Sequence, residues 1–257
     1  MLPLRDENPV RRPPIVTWLI FAACVAVYLA WQPSPFEETS EDTIFYLENA
    51  AIPCEVTQGR PLDVAEVQAT FVDGDAQACG ARVEGGSAPF DAGKNVWLSV
   101  ITSIFLHGSL VHIGGNLLFL WVFANNVEDV LGRLGFVVFY LVGGVVATLT
   151  HVALDVDSTV PTVGASGAIA AVMGAYLVLF PFARVRTLII MLLFVVIDVP
   201  AVFLLVFWFV LQFFTDPNEG VAWAAHVGGF VFGVLVGVVV RATGLLDRAT
   251  GLTLTRR

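Results

Sequence analysis

The sequence predicts an all-α membrane protein, a polytopic bundle of six transmembrane helices with the N- and C-termini in the cytoplasm. This prediction depends on the composition, on the number of long apolar segments and on the distribution of basic residues. Of the 257 residues, 57% are hydrophobic and only 14% are charged, and the mean hydropathy is +0.81. Soluble domains are about half apolar and a quarter charged, so this composition is typical of a protein that resides in a bilayer.

Apolar segments long enough to cross the bilayer recur along the chain, since about 20 helical residues cross roughly 30 Å of hydrocarbon. We predict the first transmembrane helix over residues 14–31. It is interpreted as an uncleaved anchor, because no Ala-x-Ala cleavage pattern ends it. Residues 1–13 are then a cytoplasmic N-terminus, 32–95 an acidic extracytoplasmic loop and 242–257 a cytoplasmic tail. The core, 96–241, contains the other five helices, predicted over 108–124, 134–154, 162–180, within 187–214 and over 221–241.

Basic residues indicate the orientation of these helices, because short cytoplasmic loops retain Lys and Arg. With a cytoplasmic N-terminus, all but three of the 13 basic residues lie on the cytoplasmic side, and the exceptions are Arg60, Arg82 and Lys94. The formal net charge of −9 comes mainly from acidic residues of the outer loop. The sequence contains no cluster of Lys and Arg of the kind that binds nucleic acid, so we do not expect the chain to bind it.

The fifth predicted helix is interrupted by Asp198-Val199-Pro200, which leaves two interpretations. In the first, one tilted helix kinks at Pro200, and Asp198 is a carboxylate inside the membrane, where such groups are costly. In the second, the helix starts near Pro200 and residues 187–199 lie at the cytoplasmic interface. Asp198 then needs no functional role.

The outer loop contains Cys54 and Cys79, on the side of the membrane that tolerates disulfides. The sequence leaves open whether these two residues are bonded. A bridge across a loop of this length would contribute about 3 kcal/mol. Cys24 lies within the first predicted helix, where we expect it to behave as a small apolar residue.

Polar residues of three predicted helices collect at one depth near the outer face. Ser166 and His226 are each predicted to lie about one turn into a helix that starts outside. His112 and Asn116, four residues apart, share one helical face near the same level. Buried polar groups need partners or water, so this layer indicates mutual hydrogen bonds or a pocket open to the outside. His226 would take the proton of the Ser166 hydroxyl, and His112 and Asn116 would donate to an oxyanion.

Small residues around this layer would let helix backbones approach closely. Each polar residue also has a purely structural interpretation. Ser166 could be a packing residue, Asn116 could form an interhelical hydrogen bond, and His151 is interpreted as interfacial, while the role of His107 stays open. The coincidence of three helices at one depth favours a functional site. The glycines predicted to pack the helices around that site are Gly164, Gly167, Gly229 and Gly233.

These residues resemble the motifs of the rhomboid family of intramembrane serine proteases, over most of the hydrophobic core from about 97 to 241. The G-x-S-G serine motif of the family corresponds to residues 164–167. The A-H-x-G-G motif of its sixth helix corresponds to residues 225–229. The other matching positions, in and just after the second helix, are His107, His112, Asn116 and Glu128.

The resemblance implies a Ser-His dyad in which Ser166 is the nucleophile and His226 is the general base. It further implies an oxyanion site formed by Asn116, His112 and the backbone amide of Ser166, and neither a cofactor nor a metal. The implied substrates are membrane-anchored proteins, mostly single-span, that are cleaved near the extracytoplasmic end of their transmembrane helix.

Two positions differ from the pattern of other members. Leu98 follows Trp97 where some bacterial members have a Trp-Arg pair, which removes the arginine that could contact lipid. Ala170 replaces an aromatic residue that can stack on the histidine of the dyad. The His226 imidazole would then be held less firmly, or by another ring.

We therefore predict an intramembrane serine endopeptidase in a prokaryotic plasma membrane, with its site open to the extracytoplasmic side. Its partners would be transmembrane substrates and the bilayer, and its oligomeric state is undetermined. The leading alternative is a proteolytically inactive rhomboid-like protein that binds membrane clients, although the presence of both Ser166 and His226 argues against it. A channel or transporter would need a polar path to the cytoplasm, whereas residues 117–122 and 172–180 are almost wholly apolar.

Overall fold

The computed structural model describes residues 1–33, 36, 39–81, 86–190, 194–215 and 222–244. Within these ranges the chain is mostly helical, and two short 3-10 turns, Ser103–Phe105 and Gln212–Phe214, extend helices α5 and α8. The helices are α1 Ile15–Ala30, α2 Ser40–Asn49, α3 Pro53–Gln58, α4 Val64–Phe71, α5 Val96–Thr102, α6 Leu110–Leu154, α7 Ser166–Leu179, α8 Ala201–Leu211 and α9 Trp223–Ala242. The strands are β1 Leu2–Asp6, β2 Arg184–Ile190 and β3 Phe194–Pro200.

The longest helical element, α6, contains the predicted second and third helices, which meet at Gly132. The φ of 72° and ψ of 165° at Gly132 are not helical, and a positive φ of this kind favours glycine because it has no Cβ to clash with the backbone. His112 in the first half and Ala147 in the second half both pack against residues at the start of α7. The two halves of α6 therefore run in opposite directions.

Helix α7 lies at the centre of the helical core. Every residue from Gly167 to Tyr176 is buried, and α6 and α9 are its main packing partners. Because nearly the whole circumference of α7 faces protein, its sequence is apolar all round rather than amphipathic. Ser166, at the first position, lies at the polar end of an otherwise apolar helix.

Helix α7 begins at Ser166, four residues later than the start predicted for the fourth transmembrane helix. Two features explain the later start. Gly164 has a φ of 129°, which is incompatible with a helix. The Thr162 amide donates to the Ala51 carbonyl of the outer region at 2.8 Å, so it forms no helical hydrogen bond. The sequence predicted that Ser166 lies about one turn inside the helix. This prediction is wrong, because Ser166 is the first residue of α7.

Two helices in the described part of the chain are long and apolar enough to cross a membrane by length and composition, α6 and α9. The remaining apolar helices are shorter, namely Ile15–Ala30, Val96–Phe105, Ser166–Leu179 and Ala201–Phe214. Because α6 reverses at Gly132, it supplies two of the six predicted helices. The six-span arrangement and the cytoplasmic termini stay predictions.

An antiparallel sheet of order β1-β2-β3 corrects the prediction of an all-α fold. Helix α8 begins at Ala201, directly after Pro200, so the interpretation of one long kinked helix is wrong. The residues before Pro200 form two paired strands, which suits a segment rich in β-branched side chains. Asp198 lies opposite Arg186 in this ladder, with 3.3 Å between its Oδ1 and the Arg186 Nε.

Strand β1 joins this sheet to the helical core through Asp6. The Asp6 Oδ2 accepts hydrogen bonds from the Asn126 amide of α6 and from the Tyr176 hydroxyl of α7, at 2.5 and 2.8 Å. Burial raises the pKa of Asp6 to about 6, although the hydrogen bond from Tyr176 opposes that shift. The N-terminal strand is thereby fixed to two helices of the core.

Glu128 attaches helix α1 to the same end of the core. Its carboxylate accepts hydrogen bonds from the amides of Val16 and Thr17, at 3.0 and 2.8 Å, and from the Thr17 hydroxyl at 2.8 Å. The first amides of a helix have no intrahelical partner, and helix α1 has no side-chain cap of its own. Glu128 therefore caps α1 from a distant part of the sequence.

The predicted outer loop is largely an ordered region that contains helices α2, α3 and α4. Cys54 and Cys79 form a disulfide, which answers the question that the sequence left open. The Lys94 ammonium lies 2.5 Å from the Glu55 carboxylate, and both side chains are buried. Burial lowers the pKa of Lys94 and raises that of Glu55, while the attraction between the two charges opposes both shifts. This ion pair holds the outer region against the chain that enters α5.

Candidate active site

Ser166 and His226 meet where the first turns of α7 and α9 lie side by side. The Ser166 Oγ is 2.8 Å from the His226 Nε2, which is hydrogen-bonding distance. Ser166 is the first residue of α7, and His226 is the fourth residue of α9. A hydroxyl next to an unprotonated imidazole nitrogen can lose its proton to that nitrogen as it attacks a carbonyl.

Glycines allow the two helices to approach to this distance. A Cβ on Gly229 would collide with the carbonyl oxygen of Gly167, and one on Gly233 would collide with the carbonyl oxygen of Ala171. Gly167 in turn packs against the Ala147 side chain of α6. Gly167, Gly229 and Gly233 thus lie at contacts between helices, whereas Gly164 lies before α7 and packs against the His112 ring.

The His226 imidazole is held from its other side by two residues of helix α8 and the turn that follows. Its Nδ1 is 2.7 Å from the Oε1 of Gln212. The Trp208 ring lies beside it, with 5.7 Å between ring centroids and 42° between planes. Trp208 therefore supplies a neighbouring ring where the Ala170 side chain of α7 is too small to do so.

Neither Gln212 nor Trp208 was predicted from the sequence to be a site residue. Gln212 is 14 residues before His226, a separation that corresponds to no helical or strand period. The available signal was its polarity, because an amide near the outer end of an apolar helix is costly unless it is hydrogen-bonded. The predicted depth of Gln212 in the membrane would have grouped it with the other polar residues of the site.

His112 lies in the first turn of α6, beside Gly164, and its ring has a different hydrogen-bond partner. The amide of Gly108 donates to the His112 Nδ1 at 3.3 Å, so that nitrogen must be unprotonated and Nε2 carries the hydrogen. This Nε2 is 2.8 Å from the position that a Cβ on Gly164 would occupy. The N–H of His112 is therefore available to an acceptor beside the residues that lead into Ser166.

Asn116 supplies a second donor near this face of α6. Asn116 is buried, and its Nδ2 has no hydrogen-bond partner among the residues that the structure describes. An unpaired buried donor is costly, and such groups in native proteins call for an explanation such as a bound ligand. At the start of α7, the Ser166 amide is one of the helix amides without an intrahelical acceptor, and the helix dipole favours negative charge there.

The other two histidines do not contact Ser166 directly. His107 is fully buried, its Nδ1 lies 3.1 Å from the Phe105 carbonyl oxygen, and its ring packs edge to face against His112. The Gln32 side chain pairs with the backbone of His107 through hydrogen bonds of 2.9 and 2.7 Å. His151 lies in the last turn of α6. His107 therefore contacts the candidate site only through the ring of His112 among the contacts described.

The outer region contacts the segment that leads into Ser166. Besides the bond between Thr162 and Ala51, the Cys54 amide donates to the Ser158 carbonyl at 2.9 Å. The Gly164 amide donates to the Ser103 carbonyl at 2.9 Å, and the Ser103 hydroxyl accepts from the Ala51 amide at 2.6 Å. These bonds fix the backbone before α7.

One cluster of possible metal ligands occurs in the described ranges, at Cys54, Glu66 and Cys79, whose potential ligand atoms lie within 4.8 Å of one another. Both cysteines are already used in the disulfide. The Glu66 carboxylate is paired with Arg60 at 2.7 Å. This cluster stabilises the outer region and has no thiolate to offer a metal ion.

Comparison with known proteins identifies relatives of the helical core. The family profile of the rhomboid domain matches residues 94–243, which is more than half of the chain. Presenilin-associated rhomboid-like protein A, mitochondrial, of Danio rerio is 30% identical over 155 residues. Rhomboid protein 1, mitochondrial, of Saccharomyces cerevisiae is 33% identical over 149 residues. Rhomboid protease GluP of Bacillus subtilis is 37% identical over 81 residues.

These matches cover 56%, 54% and 32% of this chain, but 37%, 41% and 15% of the three relatives. The chain thus spans less than half the length of each of these curated relatives. The profile match extends from just before α5 to just after α9, and so includes Ser166 and His226 together with His112 and Asn116. The chain is therefore an integral membrane protein that belongs to the rhomboid family.

Proposed function

We propose that this protein is an intramembrane serine endopeptidase that uses Ser166 as nucleophile and His226 as general base. The observation that carries the proposal is the distance of 2.8 Å between the Ser166 Oγ and the His226 Nε2. Serine is a weak nucleophile on its own, and an adjacent base that accepts its proton during attack makes it an effective one.

This geometry supports the following reaction. The Ser166 Oγ attacks the carbonyl carbon of the scissile peptide bond, and its proton passes to the His226 Nε2. The same nitrogen then gives the proton to the leaving amine, which leaves an ester on Ser166. Water deprotonated by His226 hydrolyses this ester and restores the serine hydroxyl, so no cofactor or metal is needed.

The negative charge that forms on the carbonyl oxygen needs donors already in position. We assign this role to the His112 Nε2–H, the unpaired Asn116 amide and the backbone amide of Ser166. The hydrogen bond from Gly108 to the His112 Nδ1 supports the assignment, because it leaves the other nitrogen as a donor. One such donor typically contributes roughly 10² to 10³ in rate.

We infer that the chain crosses a membrane six times, with both termini in the cytoplasm and the site near the extracytoplasmic side. The distribution of Lys and Arg supports this orientation. The disulfide between Cys54 and Cys79 also supports it, because disulfides persist in extracytoplasmic compartments. The membrane that we propose is a prokaryotic plasma membrane, although two of the relatives named above are mitochondrial.

The substrates that we propose are single-span membrane proteins, cleaved near the extracytoplasmic end of their helix. Ser166 is the first residue of α7 rather than an interior one, so the hydroxyl is close to the outer end of its helix. A substrate backbone must expose a carbonyl there, and a helix end is easier to unwind than a helix centre, where no water can satisfy freed backbone groups.

The experiment is a cleavage assay in liposomes with a panel of single-span membrane proteins, in which mass spectrometry locates the cleaved bonds. We expect the wild-type protein to cut near the extracytoplasmic end of the helix and Ser166→Ala to leave the same proteins intact. Equal cleavage by Ser166→Ala would contradict the proposed mechanism. Stable association with a panel member, without cleavage by the folded wild-type protein, would instead support the client-binding alternative.

A further inference from the structure

We propose that Gln212 is a positioning residue that fixes the tautomer of His226, so that Nδ1 carries the hydrogen and Nε2 faces Ser166 as a base. This inference rests on the proposed function and adds a third residue to the Ser166–His226 pair. It begins from the two hydrogen bonds that the Gln212 side chain forms in opposite directions.

The first bond fixes the orientation of the amide. The Gln212 Nε2 is 2.8 Å from the carbonyl oxygen of Trp208. A carbonyl oxygen can only accept, so the atom facing it must be the NH₂ group of the glutamine. This carbonyl lies in the last turn of α8, where backbone carbonyls have no intrahelical amide to donate to them, and the Gln212 side chain donates to it instead.

The second bond then fixes the imidazole. With its NH₂ group occupied, Gln212 presents Oε1 to the Nδ1 of His226 at 2.7 Å. An amide oxygen can only accept, so Nδ1 must carry the hydrogen, and in a neutral imidazole Nε2 is then unprotonated. That nitrogen is the one 2.8 Å from the Ser166 hydroxyl. Each hydrogen bond in this series includes one group that can only accept, which fixes the direction of the bond.

Burial and packing hold Gln212 in this arrangement. Its side chain is 7% exposed, so water does not compete freely for the amide. Trp208 contributes twice, because its carbonyl orients the glutamine and its ring lies beside the imidazole. When His226 accepts the serine proton and becomes charged, the bond from Nδ1–H to an acceptor strengthens, since charge-assisted hydrogen bonds are stronger than neutral ones.

Two variants separate positioning from simple packing. Gln212→Met has a similar length and no acceptor. Gln212→Glu loses the donor to the Trp208 carbonyl but retains an oxygen that can accept from Nδ1. We expect the rate of Ser166 labelling by a fluorophosphonate to fall roughly 10- to 100-fold in Gln212→Met, which is the usual effect of losing one hydrogen bond to a charged group. Gln212→Glu should label Ser166 faster than Gln212→Met, because it keeps the acceptor for Nδ1. Val210→Leu, at a partly exposed position of the same helix, is the matched control and should label like the wild type.

The tautomer itself is read by ¹⁵N NMR of histidine-labelled protein in micelles, with the His226 signals assigned through His226→Ala. The chain has four histidines, so the spectrum is simple. We expect protonated Nδ1 and unprotonated Nε2 signals for His226 in the wild type, and a loss of this preference in Gln212→Met. If Gln212→Met does not fold, Gln212→Asn replaces it, because its amide is one methylene too short to reach the imidazole.

The two readouts distinguish failure of this inference from failure of the proposed function. Wild-type protein that labels normally, with Gln212→Met unchanged in both labelling rate and tautomer, would overturn the role of Gln212 alone. A folded wild type whose Ser166 does not react would contradict the proposed function, yet the His226 signals would still report whether Gln212 sets the tautomer.

Discussion

The two sides of the candidate site use the same side chain in opposite ways. On the α9 side, His226 faces an acceptor at Nδ1, which leaves a basic nitrogen for Ser166. On the α6 side, His112 faces a backbone donor at Nδ1, which leaves an N–H near Gly164. The partner of the distant ring nitrogen therefore decides whether a histidine can act as a base or as a donor.

The two sides also differ in how closely they are packed. On the α9 side, backbones touch at Gly229 and Gly233, and every polar atom of the pair has a partner. On the α6 side, the Asn116 amide is buried without a partner in the described part of the chain. We interpret the first side as complete before substrate binds and the second as complete only when an oxyanion is present.

The largest effect is expected from Ser166→Ala, which removes the nucleophile and leaves both sides in place. Cleavage of membrane substrates should be abolished, because no other hydroxyl lies within hydrogen-bonding distance of His226 among the contacts that the structure describes. The free energy of unfolding should change little, since the substitution removes one hydroxyl. Cleavage at the wild-type rate would exclude Ser166 from the mechanism.

The next largest effect is expected from His226→Ala, which removes the base. General-base catalysis contributes roughly 10² to 10⁴ in rate, so kcat in the liposome assay should fall by a factor in that range. The variant also leaves Gln212 without its partner, so a thermal unfolding curve is the control for loss of fold. A folded variant with unchanged kcat would show that another group takes the serine proton.

Asn116→Ala tests the other side and should have a smaller effect than either. A donor that binds an oxyanion acts in the transition state, so kcat should fall roughly 10²-fold while KM stays nearly constant. Stability should not fall by the cost of a broken Nδ2 hydrogen bond, because this atom has no partner to lose among the residues that the structure describes. A loss larger than that of Ser166→Ala would mean that the roles are misassigned.

The smallest effect on chemistry and the clearest effect on packing are expected from Gly233→Ala. Its Cβ would collide with the Ala171 backbone, so α7 and α9 must separate, which costs about 1–3 kcal/mol. Gly114→Ala is the matched control, because a Cβ there meets nothing within 4 Å, and it should stabilise α6 by about 0.5–1 kcal/mol. Unfolding in mixed micelles measures both, and equal stabilities would contradict close packing on the α9 side.

The sequence predicted the helical core because apolar length and glycine spacing are local properties. Where local signals are ambiguous, it left alternatives open or placed an element wrongly. The apolar run before Pro200 reads equally well as a buried helix or as strands, and only pairing with β1 from the far end of the chain decides it. The start of α7 was placed too early because Gly164 looks like a packing residue until its φ is known.

In the candidate site too, local sequence properties predicted some residues, whereas tertiary packing determined others. Ser166, His226, His112 and Asn116 were proposed as site residues from their depth in the membrane and their chemical type, and the helical rise makes depth predictable. Gln212 was missed because its role depends on which nitrogen of His226 it meets, and that requires the relative rotation of α8 and α9. Pairwise distances of this kind are set by tertiary packing and leave no period in the sequence.

The measurement that tests the central claim most directly is labelling of the purified, folded protein with a fluorophosphonate, followed by mass spectrometry to locate the adduct. It needs no knowledge of the substrate. We predict an adduct on Ser166 that is absent in Ser166→Ala and in His226→Ala. No adduct on Ser166, after entry of the reagent into the site has been verified, would show that the serine is not activated and would contradict the account.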